Sequence, residues 1–573
     1  MVNTLKPICR DLASQLVARG VGFAVLSPGS RNAPIIMALE REPGIKTKVV
    51  VDERSAAFIA LGYASVSNQP VAIVCTSGTA LLNYAPAVAE AFYRKVPLIV
   101  ISADRPKEWI DQDDSQTLRQ YEALSNFVKA SYDLPDSDNA DMLWYANRQI
   151  NDALINAVTG RPAPVHINVQ LSEPLGAEGE VKAEKPRTIG IIEPARTLET
   201  GRVRELGRLL ASPRKVMVVA GFMSPSPQLN KALRRLAAMP NFIVLTETLS
   251  NLHGNEFVSR IDTTLSEMAP EERADLAPDA VITLGGALVS RMIKSYLREI
   301  NPSDHWHVGL SHTTVDCFKS LTLRIEMKAE DFFPQLASAM QPHTQPSRYG
   351  DRWRIIRDRA ISTHQAYTAK APWSDLKAFA TLLPMLGKGT NLQLSNGTPV
   401  RYSQLIGDTG LHRCDCNRGV SGIDGCTSTA IGAALAYSGM TVLISGDMSA
   451  QYDIGALATA DIPSNFRMIV VCNGGGGIFR FIKSTSRLPE LEKIFAAVAT
   501  VNLPLERVAG AFGFRFFRAS DESELRTAMK NLICPDIGPA ILAVETPAEI
   551  SAQVLKDYFT RNQIFKNRNN VKD

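Results

Sequence analysis

Residues 440–479, MTVLISGDMSAQYDIGALATADIPSNFRMIVVCNGGGGIF, limit the possible folds more than any other stretch. An apolar strand from Thr441 to Ser445 runs into Gly446-Asp447 and a helical segment, and a second apolar strand, Arg467 to Cys472, ends in Asn473 and four glycines. A strand, a helix and a strand imply two parallel strands that finish on the same side. In open α/β sheets the carboxyl ends of the strands are where ligands bind. A carboxylate leaves one strand end and an amide leaves the next, 26 positions later. Asp and Asn oxygens with a Gly carbonyl are hard donors, suited to a Mg²⁺ that keeps a water and takes its other ligands from a diphosphate. Glycines then let the backbone come close to that diphosphate. Alone, Gly446-Asp447 would read as a turn after a buried strand; the spacing to Asn473 and its glycines argues against that.

At 573 residues the chain is too long for one core, and three or four domains are expected. Apolar residues at 45% and charged residues at 21% are ordinary for globular protein, and a net charge of +4 gives no reason to expect nucleic acid or a membrane surface as partner. The first twenty residues alternate apolar and charged at helical spacing, unlike a signal peptide, and no apolar run approaches a membrane span. A cytoplasmic protein is expected. The eight cysteines are scattered, with several in apolar strands such as VAIVCTSG, as reduced buried thiols would be. His412, Cys414, Cys416 and Cys426 lack a C-x-x-C pair and a second His at finger-like spacing, so a zinc site is not expected.

Strands alternate with helices from the start. VGFAVL breaks into Ser-Pro-Gly-Ser-Arg, Lys48–Val51 ends in Asp52-Glu53-Arg54, and VAIVCTSGTA, VPLIVISADRP and APVHINV follow, with helices between them. This predicts a doubly wound parallel sheet over residues 1–172. A Pro- and charge-rich linker at 173–197 leads to a second such domain, 198–340, with strands KVMVVAGF, NFIVLTET, AVITLGG and HWHVGL. After a linker at 341–351, the third domain, 352–573, opens with a long charged helix and the helix SDLKAFATLLPML. Strand NLQLSNG, a loop RCDCNRGVSGIDG, helix CTSTAIGAALAYSG, the 440–479 stretch and a late strand ILAVETP then follow, and the final KNRNNVKD is expected to fray. The first and third domains share one order of elements.

The Gly-Asp and Asn spacing resembles the signature of thiamine-diphosphate enzymes, although many members carry two consecutive Asn where this chain has Cys472-Asn473. The resemblance implies three α/β domains, pyrimidine-binding, middle and diphosphate-binding. It implies thiamine diphosphate as cofactor and Mg²⁺ (or Mn²⁺) held by Asp447, Asn473 and the Gly475 carbonyl. Glu53, which by itself would read as a carboxylate at a helix start, matches the Glu that hydrogen-bonds the aminopyrimidine ring and promotes the tautomer that deprotonates the thiazolium carbon. Further cofactor contacts are implied for Gly78, Thr79, Ile423, Met448 and Ser449. The cofactor then supplies the carbanion chemistry.

Ser-Pro-Gly-Ser-Arg-Asn-Ala-Pro at 27–34, Asp-Glu-Arg at 52–54, Ser-Gly-Thr-Ala at 77–80, Ala-Asp-Arg-Pro at 103–106, Asn-Arg-Gly-x-Ser-Gly-Ile-Asp-Gly at 417–425 and Ile-Phe at 478–479 narrow the likeness. Together they resemble the branch of that family that serves menaquinone biosynthesis. What this implies is decarboxylation of 2-oxoglutarate and conjugate addition of the succinyl unit to isochorismate. Both substrates are dicarboxylates, and Arg pairs with carboxylates bidentately and keeps its charge when desolvated. Arg31, Arg105, Arg401 and Arg418 follow strand ends or loops on the expected ligand side, and Arg291 matches a basic position that relatives often fill with Lys. Ser30 and Gln116 match hydrogen-bonding positions, and Ile478, Phe479 and Ile482 match an apolar wall beside the reacting carbon. Two departures stand out: Gly397 replaces a Ser, and Met292 stands where a second cation can occur, with Lys294 near it in sequence.

The resemblance further implies a homodimer or dimer of dimers in which Glu53 and Asp447 of one active site come from different chains. The rival readings are another thiamine-diphosphate carboligase or decarboxylase, such as an acetolactate synthase, and a nucleotide-binding or regulatory protein that retains only the fold. The several arginines speak against the first. The survival of Glu53, Asp447 and Asn473, and the lack of either glycine-rich nucleotide motif, speak against the second.

Overall fold

The computed structural model describes residues 2–182, 185–211, 213–340, 347–482, 484–501 and 503–569. Within the expected linkers, residues 183–184 and 341–346 lie outside that set, as do residues 570–573 of the polar tail. Among the described residues no helix is long and apolar enough to cross a membrane. Two compact units form: one holds Met1–Pro194, Asn417–Thr441 and Tyr452–Phe466, the other Ala195–Cys416, Val442–Gln451 and Arg467–Asp573.

In the first unit β1 (Val2–Thr4) opens the chain. A six-stranded sheet follows, built from β2 (Phe23–Leu26), β3 (Lys46–Val49), β4 (Val71–Cys75), β5 (Leu98–Asp104), β6 (Ser131–Leu134) and β7 (Val165–Gln170). Its spatial order is β3-β2-β4-β5-β7-β6, with parallel pairing throughout. β8 (Glu178–Glu180) pairs antiparallel with β1. β4 and β5 are buried at every position, as expected of strands covered on both faces.

The second unit contains two parallel sheets. The middle one comprises β9 (Val216–Ala220), β10 (Phe242–Thr246), β11 (Ala280–Leu284), β12 (Asp304–Val308) and β13 (Leu323–Ile325), in the order β10-β9-β11-β12-β13, with separate apolar clusters of buried side chains. The last comprises β14 (Asn391–Leu394), β15 (Arg413–Cys416), β16 (Thr441–Gly446), β17 (Phe466–Cys472), β18 (Arg515–Ala519) and β19 (Ala540–Glu545), in the order β15-β14-β16-β17-β19-β18. Numbered within each sheet, the first and last share one order, 2-1-3-4-6-5. Both therefore reverse direction between their first and third strands, and a crevice at the carboxyl ends is expected there.

Six of the described strands escaped the sequence reading: the short pair β1 and β8, the second of them inside the expected linker, and β6, β13, β15 and β18. β6, β13 and β18 end their sheets in the spatial order and are short or partly polar. β15 occupies the stretch expected to be loop: Arg413 and Asp415, two apart and so on one face, are buried in a 2.5 Å ion pair, while Cys414 and Cys416 are buried on the other. The paired part of β3 begins two residues before the expected Lys48, and Val51 is 77% exposed. The final helix, Ala548–Asn569, runs into the tail that was expected to fray.

In the first unit the helix Glu53–Ser67 packs on the helix Cys426–Ala436, and a Cβ on Gly62 would lie 1.9 Å from Thr429 O. Reciprocally, a Cβ on Gly432 would lie 1.9 Å from Ile59 O. Backbone meets backbone at this crossing, and only hydrogen fits.

Candidate active site

β16 delivers Asp447 at its carboxyl end, as the first residue of a short helix, Asp447–Tyr452. Its Oδ1 accepts from Met448 N at 2.7 Å, and its Oδ2 accepts from Gly474 N and Gly475 N, each at 2.9 Å. One carboxylate thus joins the ends of β16 and β17. Asp447 is only 4% exposed; burial pushes its carboxyl above the usual range, the three amides pull it back, and the Asp375 charge adds to the rise.

Asn473 Nδ2 donates to Asp375 Oδ2 at 2.8 Å. Asp375, itself buried, also accepts from Thr546 Oγ1 at 2.5 Å and Ser551 Oγ at 3.3 Å. The nitrogen end of the Asn473 amide is therefore committed, and Oδ1 is the end left to act as an acceptor or ligand. Gly475 has φ +106°, and a Cβ there would lie 2.0 Å from Ala496 O, so no other residue fits without backbone movement. A desolvated carboxylate, an oriented amide oxygen and a glycine backbone suit a hard divalent cation. Ser449 is buried in the same helix, and Met448 is half-buried.

A cavity of about 1010 Å³ in this unit gathers residues from widely separated stretches. Arg291, the first residue of the helix Arg291–Ile300 after β11, lines it with Arg401 of the helix Thr398–Ile406, and with Ile478 and Ile482, which follow the Asn473 glycine run. Arg273 adds a third cation, and Leu555 and Phe559 of the last helix extend the apolar wall. Asp262 also lines the cavity and accepts from Ser290 Oγ; burial pushes its carboxyl up, while Ser290 and the nearby Arg401 and Lys294 charges pull it down. Met292 contributes an apolar surface here, and Lys294 donates to Leu288 O at 2.7 Å. Phe479 instead packs at a tilt against Phe495, with ring centroids 6.0 Å apart and ring planes at 51°. Gly397 sits at the start of its helix with φ +95°, a conformation a serine side chain would strain.

The first unit carries the remaining residues, again at strand ends. Glu53 opens its helix behind the cap Asp52, whose side chain accepts from Arg54 N at 3.0 Å and Ser55 N at 3.4 Å. Glu53 Oε2 accepts from Asn83 Nδ2 at 3.2 Å, which ties it to the turn and short helix, Ala80–Asn83, after β4. There Gly78 N donates to Gln120 Oε1 at 2.7 Å, Gln116 lies beside Gly78 with φ +59°, and Thr79 is exposed. Ser30 is exposed after β2, whereas Arg31 is 7% exposed and donates to Leu171 O at 2.9 Å. Burial and the neighbouring Arg105 charge lower the Arg31 pKa, and Arg105 pairs with Asp114 at 2.5 Å. Arg418 and Ile423 lie half-buried in the loop after β15.

A buried polar chain links these stretches. Gln120 Nε2 donates to Asn168 Oδ1 at 2.9 Å, and Asn168 Nδ2 donates to Asp104 Oδ2 at 2.9 Å. Asp104 Oδ1 accepts from Arg105 N at 2.8 Å, and burial pushes the Asp104 carboxyl up to about 6. Sequence reasoning missed this chain and also Asn83, Asp375, Asp262 and Arg273. Asp375 sits in Ser-Asp-Leu-Lys, which reads as an ordinary helix start; Leu555 and Phe559, four apart, read as the core face of a helix.

Three family profiles match the chain. "Thiamine pyrophosphate enzyme, N-terminal TPP binding domain" matches residues 8–123, "Middle domain of thiamine pyrophosphate" residues 208–376, and "Thiamine pyrophosphate enzyme, C-terminal TPP binding domain" residues 415–544. Thiamine pyrophosphate and thiamine diphosphate are the same compound. Among curated relatives, 2-succinyl-5-enolpyruvyl-6-hydroxy-3-cyclohexene-1-carboxylate synthase of Porphyromonas gingivalis is 40% identical over 95% of both chains. The enzymes of that name from Flavobacterium johnsoniae and Christiangramia forsetii are 37% and 36% identical, covering 95% and 96% of this chain and 96% and 98% of their own lengths.

Proposed function

Since the chain belongs to the 2-succinyl-5-enolpyruvyl-6-hydroxy-3-cyclohexene-1-carboxylate synthase family of thiamine-diphosphate enzymes, we propose that it decarboxylates 2-oxoglutarate and adds the succinyl unit to isochorismate in menaquinone biosynthesis. The observation that carries this reading is the cavity lined together by Arg291, Arg401, Ile478 and Ile482. A site for two dicarboxylates needs fixed cations beside a surface that excludes water.

When bound, thiamine diphosphate supplies the carbanion chemistry that releases CO₂ from a 2-oxoacid and makes the remaining acyl carbon nucleophilic. Asp447, Asn473 and Gly475 would hold the Mg²⁺ (or Mn²⁺) that binds its diphosphate, with Met448 and Ser449 beside it and Gly78, Thr79 and Ile423 toward its rings. Glu53, oriented by Asn83, would hold the proton at the aminopyrimidine ring. Arg31, Arg105, Arg291, Arg401 and Arg418 bind substrate carboxylates, Ser30 and Gln116 donate hydrogen bonds, and Ile478, Phe479 and Ile482 keep water from the reacting carbon. The expected assembly is a homodimer or dimer of dimers in the cytoplasm, with Glu53 and Asp447 of each site contributed by different copies.

The test is isochorismate consumption, followed by ultraviolet absorbance, with purified protein, Mg²⁺, thiamine diphosphate and 2-oxoglutarate, each omitted in turn. Loss of isochorismate that needs all four components is the expected result. CO₂ release from pyruvate with no isochorismate consumed would move the function to an acetolactate-synthase-like carboligase.

A further inference from the structure

The helix Ala85–Arg94 carries a buried carboxylate that the chemistry above does not use. Glu90 is 2% exposed, and leaving such a group without partners would be costly. Its partners are two backbone amides of the loop after β15: Gly419 N donates to Oε1 at 2.7 Å and Val420 N donates to Oε2 at 2.6 Å. Four residues on, hence on the same helix face, Arg94 Nη1 donates to Asn417 Oδ1 at 3.1 Å. Asn417 Nδ2 in turn donates to Thr429 Oγ1 at 3.1 Å. The loop lies so close to the helix that a Cβ on Gly419 would be 2.6 Å from Glu90 O.

These contacts flank one residue on both sides. Asn417 and Gly419 are the neighbours of Arg418, and both are gripped by one face of one helix. Charge-assisted hydrogen bonds of this length are short and strong, and a side chain that must meet a carboxylate in a fixed geometry needs its backbone held to a fraction of an ångström. We propose that Glu90, seconded by Arg94, is a positioning residue for Arg418: its carboxylate fixes the loop so that the guanidinium is aimed at a substrate carboxylate. This rests on the reading of Arg418 as a substrate-binding residue, and it accounts for Asn-Arg-Gly as a unit, in which the flanking residues serve the one between them.

The test compares Glu90→Gln, Arg94→Ala, Arg418→Ala and the double variant Glu90→Gln/Arg418→Ala. In Glu90→Gln one side-chain oxygen becomes an NH₂ facing a backbone N–H, so one hydrogen bond is replaced by a repulsive contact while size is kept. Expected for Glu90→Gln is a roughly tenfold or greater rise in KM for isochorismate or 2-oxoglutarate, with kcat within about twofold and cofactor affinity unchanged. The same substrate's KM should rise in Arg418→Ala, and the double variant should be no worse than Arg418→Ala alone, as residues acting as one unit are not additive. Arg94→Ala should show a smaller rise in the same KM and carries the test if Glu90→Gln does not fold. Unchanged KM in both Glu90→Gln and Arg94→Ala, or effects that multiply in the double variant, would overturn the proposal. Unchanged KM in Arg418→Ala would overturn the reading of Arg418 and the positioning role with it.

Discussion

Replacing Asp375 by Ala tests whether Asn473 serves as a metal ligand, because Asp375 is what orients the Asn473 amide. The side chain accepts from Asn473 Nδ2, Thr546 Oγ1 and Ser551 Oγ in a fully buried setting. Removing it leaves three donors without their acceptor, each at a cost of up to about 1–3 kcal/mol for a buried group left unsatisfied. One term opposes this: burial holds the Asp375 carboxyl above its ordinary range, so removing the charge returns part of the loss. Net destabilisation should therefore be about 3–5 kcal/mol, which a stability of about 5–15 kcal/mol tolerates, and the fold should survive. Metal affinity should suffer more specifically. Loss of an outer partner that orients a ligand costs about 10–100-fold in affinity, or about 1.4–2.8 kcal/mol. Mg²⁺ titration at fixed thiamine diphosphate, read by calorimetry or tryptophan fluorescence, should show the midpoint moving by that factor, alongside a thermal melt. Asp375→Ala added to Asn473→Ala should shift the midpoint little further. A folded Asp375→Ala protein with an unchanged Mg²⁺ midpoint would refute the argument.

Glu53→Gln should keep the fold and cofactor affinity while lowering kcat by about 10²–10⁴-fold, the usual worth of a proton-transferring side chain; full activity would remove Glu53 from its assigned role. Burial holds His166 neutral down to about 4, whereas in the unfolded chain it takes a proton near 6.5. Between those values the unfolded state binds more protons, so stability falls as pH drops, by about 1.4 kcal/mol per unit and about 3 kcal/mol in all. His166→Gln should flatten urea midpoints measured from pH 6.5 to 4 by that amount, and an unaltered slope would contradict the assignment. Gly432→Ala forces a Cβ onto Ile59 O and should cost about 1–3 kcal/mol; thermal melting within a degree of the parent would show that the helices separate easily.

The parallel sheets were legible because their central strands hold unbroken apolar runs, such as Val71–Cys75 and Met468–Cys472, followed within a few residues by glycine or Asn. Arg291, Arg401, Ile478 and Ile482 were legible as motif positions, and the cavity they line is a product of packing that no local pattern announces. What stayed hidden shares one physical character. Arg413–Cys416 looks like loop because its charges satisfy each other two residues apart in a buried strand. Asp375, Glu90 and Asn168 act on partners remote in the chain. Their meaning lies in who accepts from whom, which periodicity does not encode.

The crossing of Gly62 and Gly432 bears on how such a gene can be cut and recombined. The segments of sequence that look like self-sufficient modules are not the pieces that cohere, since the helix that begins at Glu53 closes against one encoded far downstream. A fragment ending at Pro194 would leave that glycine face bare. A chimera that joins the first part of this chain to the last part of a relative must carry matching small residues on both sides of the crossing, or the two parental halves will be unable to close on each other.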